Sequence, residues 1–170
     1  MLEIKTNESE AAAKIIVVGV GGGGNNAVLR MIADKVPNIE TYLLNTETNI
    51  LKRTNAKNVL QIGKETTKGL GAGANEIVGE KSAIESKEEI KKILQNTDML
   101  FLTAGMGGGT GTGALPVVAE IAKSMNILTV AIVTKPFVFE GRKRFLRAEG
   151  GIAKLKNNVN ALIVVLNDNL

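Results

Sequence analysis

The sequence predicts an α/β fold, with a doubly wound, mainly parallel sheet and helices on both of its faces. Short apolar runs rich in β-branched residues recur along the chain, and segments of helical character separate them. No hairpin turn signal joins two of these runs, so we expect crossover helices to connect parallel strands. The 170 residues include 44% hydrophobic residues, enough for one buried core. Right-handed crossovers would bring the loop after each strand to the same carboxyl edge of the sheet.

Six segments have the character of strands. The runs KIIVV and ILTVAIV are almost wholly apolar, as expected of central strands that are buried on both faces. The predicted strands cover residues 14–18, 41–44, 58–62, 99–104, 127–133 and 161–166. Residues 1–13 are polar and then rich in alanine, and we expect them to form a flexible lead-in before the domain.

Helices are predicted in the segments between the strands. They cover residues 26–34, 75–96, 114–125 and 142–158, with a short helix around Leu51. Ser86 and Glu89 have the S-x-x-E spacing of a capping box, which predicts that a second helix starts within residues 75–96. Gly150 and Gly151 predict an interruption in the last helix, because glycine is a poor helix former.

The composition excludes several classes of function. The chain has no cysteine and no histidine, which rules out disulfides, zinc sites built on these residues, and mechanisms that need a histidine base or a cysteine nucleophile. A net charge of +4 without a basic block, together with 3% aromatic residues, gives no indication of nucleic-acid binding. There is no apolar signal core and no run of membrane-spanning length, so we expect a cytoplasmic protein that does not insert into a membrane.

Residues 105–113 read GMGGGTGTG and lie between a predicted strand and a predicted helix. Glycine has no Cβ, so such a loop can bring backbone N–H groups close to an anion, and the start of the following helix adds the positive end of its dipole. A simple turn needs one or two glycines, and a flexible linker would not lie between two apolar segments. The loop therefore predicts a site for the phosphates of a nucleotide.

Two further glycine clusters are predicted at the same edge of the sheet. Residues 19–24, GVGGGG, fit G-x-G-x-x-G between a strand and a helix, which is the context of a dinucleotide fingerprint. Asn45 and Glu47 stand about where such an enzyme binds a ribose hydroxyl, so an NAD-type dinucleotide-binding domain of an oxidoreductase remains the alternative. Residues 69–75, GLGAGAN, are equally consistent with a turn.

No lysine lies in the central loop, and the P-loop pattern G-x-x-x-x-G-K-[ST] is absent. A triphosphate bound here would need backbone N–H groups, a helix N-terminus and a metal ion such as Mg²⁺ to balance its charge. Glu140 and Arg144 follow the fifth strand and are candidates for the ribose and for the sugar or base. Spacing alone favours a surface role at a helix start for both residues.

Four stretches carry a resemblance to the tubulin and FtsZ superfamily of GTPases, and more closely to its bacterial cell-division members. They are VGVGGGGNNAV at 18–28, GLGAGAN at 69–75, TAGMGGGTGTGA at 103–114 and KPFVFEGRKR at 135–144. The likeness covers essentially the whole chain after the first dozen residues. It departs from the family near its end, where Leu166 and Asn169 stand in place of the more usual proline and arginine.

The resemblance implies a site for GTP or GDP, with Mg²⁺ accompanying GTP. The first loop would wrap the nucleotide, the central loop would hold the phosphates, the cluster at 69–75 would sense the γ-phosphate, Glu140 would bind ribose beside Arg144, and Asn26 and Asn167 would read guanine. The implied nucleotide-binding residues are Gly21, Gly22, Gly23, Gly24, Asn25, Asn26, Ala72, Gly73, Ala74, Gly105, Gly107, Gly108, Gly109, Thr110, Gly111, Thr134, Pro136, Glu140, Arg144 and Asn167.

The resemblance also implies head-to-tail filaments that form the division ring, where other division proteins would be partners. Hydrolysis in this family uses an acidic loop from the C-terminal domain of the neighbouring subunit. The printed chain ends at Leu170, so we expect residues 14–170 to be the GTP-binding domain without that C-terminal domain. We expect no catalytic residue and no protein metal ligand here, little or no turnover by this chain alone, and dimerisation or domain exchange through an apolar face left exposed.

Overall fold

The sheet of the computed structural model, which describes residues 12–166, is wholly parallel. Its strands are β1 Ile15–Val20, β2 Glu40–Asn45, β3 Val59–Gln61, β4 Met99–Gly105, β5 Leu128–Lys135 and β6 Ala161–Leu166. They lie in the order β3-β2-β1-β4-β5-β6, which confirms the predicted doubly wound α/β class. The direction of winding reverses between β1 and β4, and ligands of open α/β sheets bind at the crevice outside the carboxyl ends of such a pair.

Helices cover the two faces of the sheet unequally. They are α1 Gly21–Ala33, α2 Thr48–Lys52, α3 Lys64–Thr67, α4 Glu76–Glu85, α5 Lys87–Leu94, α6 Thr110–Ser124 and α7 Arg142–Lys156, with a 3₁₀ turn at Val138–Glu140. On one face, α1 packs over β1, β2 and β4; on the other, α6 packs over β1, β4 and β5 with α4, α5 and α7 around it. Alternate residues of β1 follow this division: Val18 lies in the core beneath α6, and Val17 packs with Val28 of α1.

Two helices begin earlier than the sequence predicts. The predicted start at residue 26 is wrong for α1, which begins at Gly21, and the predicted start at residue 114 is wrong for α6, which begins at Thr110. Glycine has low helix propensity because its backbone loses more entropy on ordering, so the sequence argues against a helix here. Packing against the sheet favours it, since a Cβ on Gly24 would lie only 2.5 Å from Thr103 O of β4. The glycine loops are therefore partly helical N-termini.

Two further local predictions concern α5 and α7. The predicted second helix within residues 75–96 is confirmed, since α5 begins at Lys87. The capping box itself is wrong, because the Ser86 hydroxyl makes no cap and instead accepts a hydrogen bond from Gly63 N–H at 3.0 Å. The predicted interruption of α7 is also wrong. Helix α7 runs through Gly150 and Gly151 without interruption. Packing explains the glycine at residue 151, because a Cβ there would lie only 2.6 Å from Thr112 Cγ2 of α6. Glycine here allows two helices to approach closely.

One apolar surface lies on the α1 side of β4, β5 and β6, and we call it the open apolar face: Phe101, Ile132, Ile163 and Val165. Register places these side chains on one side of the sheet, and Ile132, Ile163 and Val165 are 37%, 50% and 46% exposed. A groove of about 460 Å³ beside α1 continues this surface and is lined by apolar side chains apart from Thr103. Within residues 12–166, no helix is both long enough and apolar enough to cross a membrane.

Candidate nucleotide-binding site

A cavity of about 520 Å³ opens at the carboxyl edge of the sheet, beside the reversal between β1 and β4. Its volume is within the range of small-molecule and cofactor sites. The lining comes from the ends of β2 and β4, the N-termini of α1 and α6, helix α2, the loop before α4, and α7. The lining residues are Gly21, Gly22, Gly23, Asn45, Thr46, Glu47, Ile50, Leu70, Gly71, Ala72, Gly73, Ala74, Gly105, Met106, Gly108, Gly109, Thr110, Gly111 and Arg144.

The N-termini of α1 and α6 meet at this cavity. A Cβ placed on Gly21 would lie 3.1 Å from Gly111 N, and one on Gly23 would lie 3.2 Å from Gly105 Cα, so the first and central glycine loops are in contact. Neither helix has a side-chain cap hydrogen bond. The N–H groups of both first turns are consequently available to a ligand, and both helix dipoles place their positive ends at the same cavity.

The third glycine cluster forms another wall. A Cβ on Gly109 would lie 2.8 Å from Ala72 Cβ, which places this cluster directly against the central loop. Its backbone takes left-handed conformations at Gly73 and at Ala74, with φ of 59° and 56°. Asn75 then caps α4 by accepting a hydrogen bond from Ile77 N–H at 3.0 Å. The cluster at residues 69–75 is therefore one wall of the cavity and not only a turn.

A buried amide network fixes the first loop from behind the cavity. The Asn25 side chain donates from Nδ2 to the carbonyls of Gly19, at 2.9 Å, and Leu44, at 3.1 Å. Its Oδ1 accepts from Asn45 Nδ2 at 2.9 Å, and Asn45 Oδ1 accepts from Glu47 N–H at 3.1 Å. The side chain of Asn25 is therefore occupied in joining α1 to the ends of β1 and β2.

Few charged side chains reach the cavity. Of the described lining residues, Arg144 is the one cation and Glu47 the one carboxylate. Glu47 Oε2 would lie 3.5 Å from a Cβ on Gly71, so the carboxylate lies against the third cluster. The hydroxyls of Thr46 and Thr110 share a hydrogen bond of 2.8 Å. Residues 12–166 contain no group of three or more potential metal-ligating side chains.

Twelve of the twenty predicted nucleotide-binding residues line the cavity. The other eight do not line it. Gly24, Asn25 and Gly107 are buried behind its lining, Asn26 is exposed on α1, and Thr134, Pro136 and Glu140 lie at and beyond the end of β5. Asn167 lies outside the described residues. The lining residues absent from the predicted set are Asn45, Thr46, Glu47, Ile50, Leu70, Gly71 and Met106.

The position of Thr46 and Glu47 could have been inferred from the sequence. They follow β2, and the ends of parallel strands meet at one edge of the sheet. Thr46 and Glu47 are therefore expected at the same edge as the glycine loops. We considered Asn45 and Glu47 only as possible ribose ligands of a dinucleotide-binding domain.

A second cavity, of about 440 Å³, lies at the opposite edge of the sheet between the C-terminal ends of α6 and α7. Helix C-termini present carbonyl oxygens and the negative ends of the dipoles, which disfavour a phosphate. Lys123 Nζ already donates to the carbonyl of Asn157 there, at 3.0 Å. The cavity at the carboxyl edge is therefore the candidate for an anionic ligand.

Comparisons with known proteins identify the same family along the chain and in the fold. The Tubulin/FtsZ family, GTPase domain, matches residues 14–170. The chain is 56% identical to cell division protein FtsZ of Coxiella burnetii over 158 residues, which is 93% of this chain and 41% of that protein. It is 54% identical to FtsZ of Azotobacter vinelandii over 170 residues, 100% of this chain and 43% of that protein.

The solved structures agree with this result. An empty FtsZ dimer of M. jannaschii has a TM-score of 0.90 to this chain at 48% identity, covering 94% of this chain and 46% of that one. The chain thus spans less than half the length of these relatives.

Proposed function

Because the chain belongs to the Tubulin/FtsZ family and matches its GTPase domain, we propose that residues 14–170 form a domain that binds GTP and GDP in the cavity at the carboxyl edge. One observation carries the proposal: two helix N-termini without side-chain caps converge on one cavity with the glycine loops that precede them. Backbone N–H groups at helix N-termini are a general means of binding phosphates.

We propose the following orientation for the nucleotide. The phosphates lie against the N–H groups of residues 21–23 and 108–111, and the γ-phosphate points toward residues 72–74. Ribose and base lie toward Arg144 and Glu140, with Asn26 and Asn167 reading guanine. The contact between the first and central loops supports this orientation, since one chain of phosphates can touch both.

Mg²⁺ fits the donor set of the site as a companion of GTP. Magnesium in nucleotide sites is held by phosphate oxygens, waters and one or two carboxylates, and Glu47 is the carboxylate that the lining supplies. When bound, the ion would neutralise charge on the phosphates. Instead of the expected absence of a protein metal ligand, we infer that Glu47 would hold the ion, directly or through water.

We propose that hydrolysis requires a group from a second molecule. An attacking water must be oriented, and developing charge must be stabilised. In our proposal, the acidic loop of a neighbouring subunit's C-terminal domain performs this task in a head-to-tail filament at the division ring, with other division proteins as partners. The FtsZ relatives are more than twice as long as the matched region, which is consistent with a further domain in those proteins. The 170-residue polypeptide alone should bind nucleotide and turn over little GTP.

Gly22 provides a matched test of the site. It lines the cavity, and a Cβ added there would meet no atom within 4 Å. We expect Gly22→Asp to abolish GTP binding in calorimetry, because a carboxylate would repel the phosphates. The isosteric but neutral Gly22→Asn should retain most of it. An aspartate in the first turn of a helix is favourable, so the aspartate variant should remain folded.

The same titrations separate GTP from the competing ligand. The unaltered protein should bind GTP and GDP and show no heat with NAD. Binding of NAD in preference to GTP would support the dinucleotide-binding domain instead, and equal GTP affinity of the two Gly22 variants would contradict the proposed phosphate position.

A further inference from the structure

The peptide unit between Gly107 and Gly108 is held in one orientation by a side chain of α7. Arg147 Nε donates to the carbonyl oxygen of Gly107 at 2.9 Å. The N–H of Gly107 donates to Thr112 Oγ1 at 2.7 Å, in the first turn of α6. Both polar groups of Gly107 are therefore occupied. Arg147 does not line the nucleotide cavity, and neither does Gly107, whereas Gly108 does.

Peptide geometry gives this contact a consequence for the cavity. In a planar trans peptide, the carbonyl of one residue and the N–H of the next point in opposite directions. All peptide bonds of the described residues are trans. Because the Gly107 oxygen is directed at Arg147, the N–H of Gly108 points away from α7, on the side where Gly108 faces the cavity.

Nothing in the two residues themselves would prevent this peptide from reversing. Gly107 has a φ of 115°, and with no Cβ on either residue a concerted rotation of the peptide meets little steric resistance. The reversed peptide would turn a carbonyl oxygen toward the cavity and the N–H away from it. A phosphate would then lose one donor and face a partial negative charge.

We infer that Arg147 is a positioning residue of the phosphate site: its charge-assisted bond to Gly107 keeps the N–H of Gly108 turned toward the bound phosphates. The inference rests on the proposed nucleotide function. Arg147 acts through the loop and differs in this from Arg144, which lines the cavity itself. Arginine suits the role because it stays charged and its planar guanidinium donates along fixed directions.

Three variants of the 170-residue protein test this role. Arg147→Met removes the donor, Arg147→Lys keeps the charge, and Arg142→Met removes the same charge from the exposed start of α7. Calorimetry would measure GDP and GTP binding, and competition with a fluorescent GDP analogue would measure guanosine. We expect Arg147→Met to weaken GTP and GDP about tenfold, the effect of one hydrogen bond to a charged group. Arg147→Lys should lose less, and Arg142→Met should stay within about twofold of the unaltered protein, as surface pairs and charges usually do.

Guanosine distinguishes positioning from general structural damage. It has no phosphate, so its affinity should be the same in Arg147→Met and in the unaltered protein. Equal losses for guanosine and GTP, or an unchanged GTP affinity in Arg147→Met, would overturn the inference.

A second readout does not depend on nucleotide. In the nucleotide-free protein, Arg147→Met should shift the NMR amide signal of Gly108 and accelerate its hydrogen exchange, while Gly23 stays unchanged. If the unaltered protein bound no GTP, the proposed function would fail, and the Gly108 signal would still decide whether Arg147 holds this peptide. An unaltered Gly108 signal in Arg147→Met would contradict the inference by itself.

Discussion

Replacing Asn25 by alanine should destabilise the fold, because its side chain joins three elements at the floor of the nucleotide cavity. The side chain is 1% exposed and makes three hydrogen bonds, two donated to the carbonyls of Gly19 and Leu44 and one accepted from Asn45. Alanine removes all three and leaves the Asn45 amide with a buried donor that has lost its acceptor. Water cannot easily replace them at this depth.

The expected magnitude follows from these bonds. Each contributes about 0.5–1.5 kcal/mol to the free energy of unfolding, so Asn25→Ala should cost about 3 kcal/mol in total. With a urea dependence of about 2 kcal/mol per molar for a domain of this size, the unfolding midpoint should fall by roughly 1.5 M. Urea titration followed by circular dichroism would measure both quantities.

The neighbouring asparagine is the matched control. Asn26 is exposed on α1, so Asn26→Ala should change the free energy of unfolding by less than about 0.5 kcal/mol. It should still weaken GTP binding if Asn26 reads guanine. A loss below about 1 kcal/mol for Asn25→Ala, or equal losses for the two variants, would refute the role of the buried network.

Three further predictions concern charge, metal and self-association. Partial burial raises the pKa of Glu85, but hydrogen bonds from the Thr66 side chain and from the backbone N–H groups of Glu65, Thr66 and Lys64 together outweigh it and lower the pKa overall. That stabilisation is complete above the unfolded-state pKa and is lost as pH falls through the lower folded-state pKa. Solvent screens this exposed carboxylate, so Glu85→Gln should cost only about 0.5 kcal/mol near neutral pH and almost nothing at about pH 3 in urea titrations. Glu47→Gln should weaken GTP binding about tenfold in Mg²⁺ and strengthen it in EDTA, where the carboxylate only repels the phosphates, as measured by calorimetry. The unaltered 170-residue protein should dimerise through the open apolar face, and Ile132→Lys should make it monomeric in sedimentation velocity.

Each of these three predictions has a control variant or a result that would contradict it. Glu120→Gln alters an exposed carboxylate inside α6 and should change the free energy of unfolding by less than about 0.5 kcal/mol; a loss for Glu85→Gln that persisted at low pH would contradict the hydrogen-bond explanation. An equal effect of Glu47→Gln with and without Mg²⁺ would assign that residue to something other than the metal. Ile84 is 54% exposed on α4, outside the open apolar face, so Ile84→Lys should leave the dimer intact. A monomer at high concentration for the unaltered protein would exclude this interface.

The central strand β1 was predictable because it is buried on both faces and therefore reads as an apolar run. The prediction for β1 differs from the observed strand by one residue at its start and two at its end. The prediction for β6 coincides with the observed strand, which is an apolar run although most of its residues are exposed. The helix starts were not predictable in the same way. Propensity argues against a helix in four consecutive glycines, and only packing against the sheet shows that α1 begins there. The need for glycine at residue 151 of α7 has the same origin, since its close fit against α6 is a tertiary property.

The candidate site also contains some parts that the sequence predicts and others that it does not. The glycine loops were recognisable because a phosphate site built from backbone N–H groups demands glycine, which leaves a mark in the sequence. Side chains that act on this backbone leave no such mark. The contact from Arg147 to Gly107 depends on how α7 is placed beside the central loop. The Asn25 amide joins the ends of β1 and β2, which are distant in sequence. In the sequence, each is one polar residue among many.

The charge balance of the cavity explains why the metal should matter to the proposed ligand. GTP carries about four negative charges, against which two helix N-termini supply roughly half a positive charge each and Arg144 supplies one. Glu47 adds a negative charge to the same cavity. About three charges remain unbalanced, and no lysine among the described lining residues meets them. A divalent cation held by Glu47 would remove most of this deficit, and the carboxylate would then act as a ligand instead of repelling the phosphates. The effect of Glu47→Gln on GTP binding therefore arises from charge. The effects of Arg147→Met on GTP binding and of Asn25→Ala on the free energy of unfolding arise from the placement of the backbone.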